Sequence, residues 1–126
     1  MVAKRVLVVD DEEPIQDVIQ GCLEDVGGWE VLRAASGGEG VDLARSRLPD
    51  GILLDVSMPG MDGFEVLQRL QADPATQLIP VILLTARVQP EDRAKFAELA
   101  ITGVILKPFD PMALVDQVAA AFGWEM

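Results

Sequence analysis

The fold class that this sequence predicts is α/β, doubly wound around a parallel sheet, and three observations predict it. Short runs of mostly branched apolar residues recur along the chain: Val6-Leu7-Val8-Val9, Ile52-Leu53-Leu54, Val81-Ile82-Leu83-Leu84 and Val104-Ile105-Leu106. Continuous runs of this length suit strands covered on both faces, as in a parallel sheet. Segments of helical spacing alternate with them, giving strand-helix five times over, an order that right-handed crossovers wind into one layered sheet. Length and composition agree, since 126 residues, 50% hydrophobic and 25% charged, suffice for one domain with a real core.

The elements follow in order. After the first strand, Ile15, Val18, Ile19, Cys22, Leu23 and Val26 recur at helical spacing and mark the clearest helix. Pro14 suits its first turn, and Asp11 to Glu13 suit the positive end of its dipole. Gly27 and Gly28 read as its stop, and Cys22 as a small core residue on its apolar stripe. Trp29 to Ala34 is mixed in polarity and suits an edge strand. Val41, Ala44 and Leu48 mark a second helix ended by Pro49. Phe64, Leu67 and Leu70 mark a third, ended before Asp73-Pro74. Phe96, Leu99 and Ala100 mark a weak fourth, and Val115, Val118, Ala119 and Phe122 a clear last one. No internal repeat, low-complexity tract or linker interrupts the pattern, so one domain over 1–126 with no output domain is expected.

Composition narrows the function. Lys plus Arg is 10 against 21 Asp plus Glu, a net charge of −11 that repels phosphate backbones and anionic lipid. Direct nucleic-acid or membrane-surface binding is not expected. Histidine is absent, which excludes Ser-His-Asp and Cys-His catalysis, histidine metal ligands and a phosphohistidine on this chain. The single cysteine excludes an internal disulfide and fits a reducing, cytoplasmic compartment. The apolar run after Met1-Val2-Ala3-Lys4-Arg5 stops at Val9, too short for a signal peptide, and no stretch reaches transmembrane length.

In sheets of this kind ligands bind at the carboxyl ends of the strands. The residues just past those ends are Asp10 and Asp11, then Asp55, then Thr85 and Ala86, then Lys107 before Pro108. Taken alone, Asp10 to Glu13 is a helix-start acid run, Thr85 a strand-end residue and Lys107 a surface lysine. If the first and third strands are neighbours, however, three carboxylates converge, and they repel one another unless a cation is present. Mg²⁺ fits a site of few oxygen ligands. With a lysine and a hydroxyl beside it, the set is one for phosphoryl transfer, with an aspartate as nucleophile. The segment Met58-Pro59-Gly60-Met61-Asp62-Gly63 reads as a tight turn into a helix and lacks the lysine of a nucleotide-binding loop.

These residues resemble a response-regulator receiver domain of two-component signalling. The matching stretches are Val8-Val9-Asp10-Asp11-Glu12, Leu54-Asp55-Val56-Ser57-Met58-Pro59-Gly60-Met61-Asp62-Gly63, Leu83-Leu84-Thr85-Ala86 and Leu106-Lys107-Pro108-Phe109. The resemblance covers essentially the whole chain and implies a flavodoxin-like sheet of order 2-1-3-4-5 with helices on both faces. It implies that Asp55 accepts a phosphoryl group from a histidine kinase or histidine phosphotransfer protein. Asp10, Asp11, Asp55 and the Ser57 backbone carbonyl would hold Mg²⁺, while Thr85, Ala86 and Lys107 would contact the phosphoryl group. A cis bond before Pro108 is implied, and Ile15 and Phe109 would lie on the donor-docking side.

The resemblance also implies a switch. In the family an aromatic side chain on the fifth strand turns inward as the hydroxyl residue moves; here that position is Val104, which has no ring. Output is then expected to depend on the segment from Arg87 to Leu99, and Ser57 and Arg87 would tune the access of water. The face of the fourth helix, fifth strand and fifth helix, with Ile101 and Val104, is expected to meet a downstream target or a second copy. Trp124 and Met126 would extend that face or cover the core. The protein would be no enzyme beyond its own phosphorylation and dephosphorylation. An aspartyl-phosphate phosphatase is the alternative, but it resembles a pattern with a second acid where Ser57 stands; a phosphorylation-independent pseudo-receiver is another.

Overall fold

A computed structural model of the chain describes residues 4–86 and 89–124. Strands and helices alternate: β1 (Arg5–Val9), α1 (Glu13–Asp25), β2 (Glu30–Ala34), α2 (Gly37–Arg47), β3 (Gly51–Asp55), α3 (Gly63–Ala72), β4 (Val81–Thr85), α4 (Pro90–Ala97), β5 (Gly103–Leu106) and α5 (Pro111–Phe122). The sheet runs β2-β1-β3-β4-β5 with every neighbouring pair parallel. This is the doubly wound fold and strand order expected.

Alternate residues of one strand face opposite sides of a sheet, and two cores result. Leu7, Val9, Ile52, Leu54 and Leu83 pack with Val41, Val66, Leu67 and Phe96 of α2, α3 and α4. Val6, Val8, Leu53, Ile82 and Leu84 pack with Ile19, Leu23, Leu114, Val115 and Val118 of α1 and α5. The central strands β1, β3 and β4 are therefore apolar on both faces because both faces are covered.

Local chemistry starts the helices. Ser36 accepts a hydrogen bond from the Glu39 amide (3.2 Å) while the Glu39 carboxylate takes the Ala35 amide (2.9 Å), a reciprocal arrangement close to a capping box. Asp62 caps α3 through the Glu65 amide (3.0 Å), and Asp110 caps α5 through the Met112 amide (2.9 Å). α1 differs: its cap residue, Glu12, makes no capping bond with its side chain. The Glu12 amide instead donates to Asp10 Oδ1 (2.8 Å).

Several apolar positions do not follow the sequence pattern. Val26 and Leu48 are exposed because each lies at the C-terminal cap of its helix, Leu48 in the left-handed region (φ 46°). Val18 is also exposed. Leu99 and Ala100 lie beyond α4, which ends at Ala97 and buries only Phe96. That short helix leaves one face of the edge strand β5 open. Val104 (37%) and Leu106 (48%) are exposed there, while Ile105 on the α5 side is buried. β5 is thus not covered on both faces. Trp124 packs against Trp29 and Phe122 at the opposite end of the fold, so it covers core rather than extending the β5 face. Arg87 and Met126, named above, lie outside the described residues. No helix among the described residues is long and apolar enough to cross a membrane.

Candidate functional site

Because all five strands are parallel, their carboxyl ends share one edge of the sheet. Asp10 follows β1, Asp55 and Thr85 are the last residues of β3 and β4, and Lys107 follows β5. Asp10, Asp55 and Thr85 are buried (0, 2 and 1% exposed), whereas Asp11, Glu12, Ser57 and Ala86 are exposed. The site is therefore a buried polar floor with an open acidic rim.

The charges meet directly. Lys107 Nζ lies 2.9 Å from Asp10 Oδ2 and 3.4 Å from Asp55 Oδ1. The Lys107 amide donates to the Thr85 carbonyl (2.8 Å), which ties the lysine to the end of β4. The Ser57 amide donates to Asp55 Oδ1 (3.2 Å). Asp55 Oδ2 is buried and has no hydrogen-bond partner among the described residues. The Lys107–Pro108 peptide bond is cis.

Burial of the Asp55 carboxyl, followed by repulsion from Asp10, raises its pKa to about 6, against the lowering effects of Lys107 and the Ser57 amide. Burial alone would lower Lys107. The Asp10 hydrogen bond and charge, then Asp55, outweigh that and hold the ammonium above its ordinary pKa. Near neutral pH the site thus presents an ionised carboxylate beside a fixed positive charge.

One carboxylate oxygen from each of Asp10, Asp11, Glu12 and Asp55 can be chosen so that all lie within 4.8 Å of one another. An all-oxygen set with an orphaned buried oxygen fits a hard divalent cation such as Mg²⁺. Glu12 joins this group beyond the ligands that the resemblance implies, and its place in the acid run is the signal for it. Gln16, a buried polar residue of α1, lies behind Asp10 and is not marked by the sequence pattern. Nothing in its neighbours marks it, because its partners, two backbone carbonyls and the Arg33 guanidinium, are brought there by the fold.

Surrounding elements fit the site closely. A Cβ on Gly63 would lie 2.5 Å from the Asp55 carbonyl oxygen, so α3 can begin this near β3 only with glycine. Beside Lys107 and Pro108, a hollow is lined by Ile15, Val18, Phe109 and Pro111. A second, apolar groove between α4 and β5 is lined by Phe96, Ile101, Val104 and Leu106.

Residues 6–119 match the family described as response regulator receiver domain. The phosphate regulon transcriptional regulatory protein PhoB of Pseudomonas aeruginosa is 39% identical over 120 residues, 95% of this chain but 52% of the relative. The chain spans about half the length of that relative. Among solved structures, the chemotaxis protein CheY4 of Vibrio cholerae superposes with TM-score 0.88 at 32% identity, covering 95% of this chain and 99% of that one. The receiver domain of the sensor histidine kinase PA1611 from Pseudomonas aeruginosa superposes with TM-score 0.85 at 27% identity, covering 97% and 99%, and that structure carries a magnesium ion in its active-site cleft.

Proposed function

The chain belongs to the response regulator receiver domain family, the phosphorylation-activated switch of two-component signalling, and from that premise we propose that Asp55 is the residue phosphorylated. The observation that carries this reading is the Asp55 carboxylate itself. It is buried, ionised near neutral pH, in contact with Lys107, and left with one oxygen unpaired among the described residues.

An Asp55 oxygen attacks the phosphorus of a phosphohistidine on a histidine kinase or histidine phosphotransfer protein. A P–O bond forms as the P–N bond breaks, and the donor imidazole leaves with the bonding electrons. The absence of histidine from this chain requires that imidazole to be external. Lys107 stays protonated and faces the negative charge of the transferring group, so it stabilises charge and does not act as a base. The Thr85 hydroxyl and the Ala86 amide bind phosphoryl oxygens. Asp10, Asp11 and Asp55, with the Ser57 carbonyl, would hold Mg²⁺, which supplies the positive charge that lets the carboxylates and the phosphoryl group share one site. The all-oxygen donors and the magnesium-bearing PA1611 receiver domain support this.

The groove of Phe96, Ile101, Val104 and Leu106 is the surface whose partner binding changes on phosphorylation, towards a downstream target, an output domain or a second copy. A net charge of −11 supports a protein partner rather than DNA for this chain, and a cytoplasmic location suits its lone cysteine.

Intact mass after incubation with acetyl phosphate tests the reading. The expected result is a gain of one phosphoryl group that requires Mg²⁺ and is lost in Asp55→Asn. Gain persisting in Asp55→Asn would name the wrong acceptor, and no gain from either acetyl phosphate or a phosphorylated histidine donor would overturn the reading.

A further inference from the structure

Gln16 sits behind the carboxylate floor, 4% exposed. Its Nε2 donates to the Asp10 carbonyl (2.7 Å) and to the Ala34 carbonyl (2.6 Å). Both amide hydrogens are thereby used, each on a backbone oxygen at the carboxyl end of a strand. The Ala34 carbonyl also accepts the Asp10 amide (3.1 Å), so Gln16 closes the ladder between β1 and β2 just where β1 becomes the acidic turn. On its other side Gln16 Oε1 accepts from Arg33 Nε (3.0 Å). Arg33 Nη1 is fixed in turn by Asp17 Oδ1 and Gln20 Oε1, each at 2.9 Å.

The orientation of this amide is not ambiguous. A guanidinium can only donate and a carbonyl can only accept, so the oxygen must face Arg33 and the nitrogen the strand ends. Besides its amide bond to the Ala34 carbonyl, Asp10 is therefore held from three further directions. Its carbonyl is bound by Gln16, its Oδ2 by Lys107, and its Oδ1 by the Glu12 amide that starts α1. Loss of the Gln16 bond would leave a buried carbonyl without that donor at the residue whose two side-chain oxygens shape the site.

We propose that Gln16, locked by Arg33, is a positioning residue that sets the Asp10 backbone and so the affinity of the carboxylate cluster for Mg²⁺. The inference rests on the metal-assisted reading above and adds a residue that touches neither metal nor phosphoryl group. Metal sites depend on such outer partners, whose loss commonly costs tenfold or more in affinity.

Calorimetric titration of the whole chain with MgCl₂, at a temperature where each variant is fully folded, tests it. Gln16→Met keeps the volume and removes both donors, so the Mg²⁺ Kd should rise about tenfold, with amide shifts at Asp10 to Glu12 by NMR. Arg33→Met leaves the glutamine in place but unlocked, and its Kd should rise about threefold. Trp29→Phe, at the far end of the sheet, controls for general loss of stability and should leave Kd unchanged. A wild-type Kd in Gln16→Met would overturn the inference whatever its melting temperature. Should that variant not fold, an unchanged Kd in Arg33→Met would do the same. Wild-type protein that binds no Mg²⁺ would overturn the metal-assisted reading and this inference with it, a result distinct from either variant outcome.

Discussion

The two ends of the sheet are built on opposite physics. At the carboxyl end, Asp10 and Asp55 are buried together against one lysine, and one Asp55 oxygen is left without a hydrogen-bond partner among the described residues. At the amino end, Trp29 meets Trp124 edge to face (centroids 5.1 Å apart, 82°), and Trp124 lies against Phe122 at 4.7 Å. Lys4 Nζ stands 5.4 Å from the Trp124 ring centroid. Aromatic burial of this kind is stabilising outright. Like charges brought out of water oppose folding, and Lys107 offsets that only in part, since the Asp55 pKa stays raised. The difference teaches where stability and function separate, since one end closes the domain and the other keeps a local cost that a ligand can relieve.

The largest effect that could break this comparison is Trp29→Ala. It should cost about 3–5 kcal/mol in urea unfolding, while the Mg²⁺ affinity of the folded protein stays within about twofold, since distant sites act independently. A large fall in Mg²⁺ affinity would mean that the two ends are coupled.

A glycine pair sharpens the contrast at smaller size. Gly51→Ala would bring a Cβ to 2.6 Å from the Phe122 ring, and Gly63→Ala one to 2.5 Å from the Asp55 carbonyl oxygen. Both overpack the fold and should cost about 1–3 kcal/mol. Only Gly63→Ala should also weaken Mg²⁺ binding, because the group that must yield is the backbone of Asp55. Equal Mg²⁺ affinities in the two variants would remove that distinction. The smallest effect belongs to β5: Val104→Thr, on its open face, should change stability by no more than about 0.5 kcal/mol by denaturant unfolding.

The sequence makes the site's convergence legible for a simple reason. Asp10, Asp55, Thr85 and Lys107 each end or directly follow an apolar run, and a parallel sheet sends all such positions to one edge. Other features are not legible because they depend on what a neighbour leaves uncovered. Val104-Ile105-Leu106 is apolar throughout, yet α4 is too short to cover its outer face. Leu48 shares its spacing with Val41 and Ala44 but falls at a left-handed cap. Gln16 looks like an ordinary polar position of α1, and only the closeness of the Asp10 and Ala34 carbonyls gives it a role.

The most direct test of the contrast is the stability of Asp55→Asn against wild type, by urea unfolding from pH 4 to 8, with and without Mg²⁺. The folded pKa of Asp55, about 6, lies above its ordinary value of 3.8, so the proton favours the folded state. That contribution is full at low pH and is lost as pH rises through about 6. A rise of this size corresponds to at most about 3 kcal/mol. Without metal, Asp55→Asn should therefore overtake wild type as pH rises and be about 2 kcal/mol more stable at pH 7. Mg²⁺ at a hundred times its Kd should add about 2.7 kcal/mol to wild type and much less to the variant, closing the gap. An Asp55→Asn protein less stable than wild type at pH 7 without metal would contradict the account, because the carboxylate floor would then be stabilising by itself.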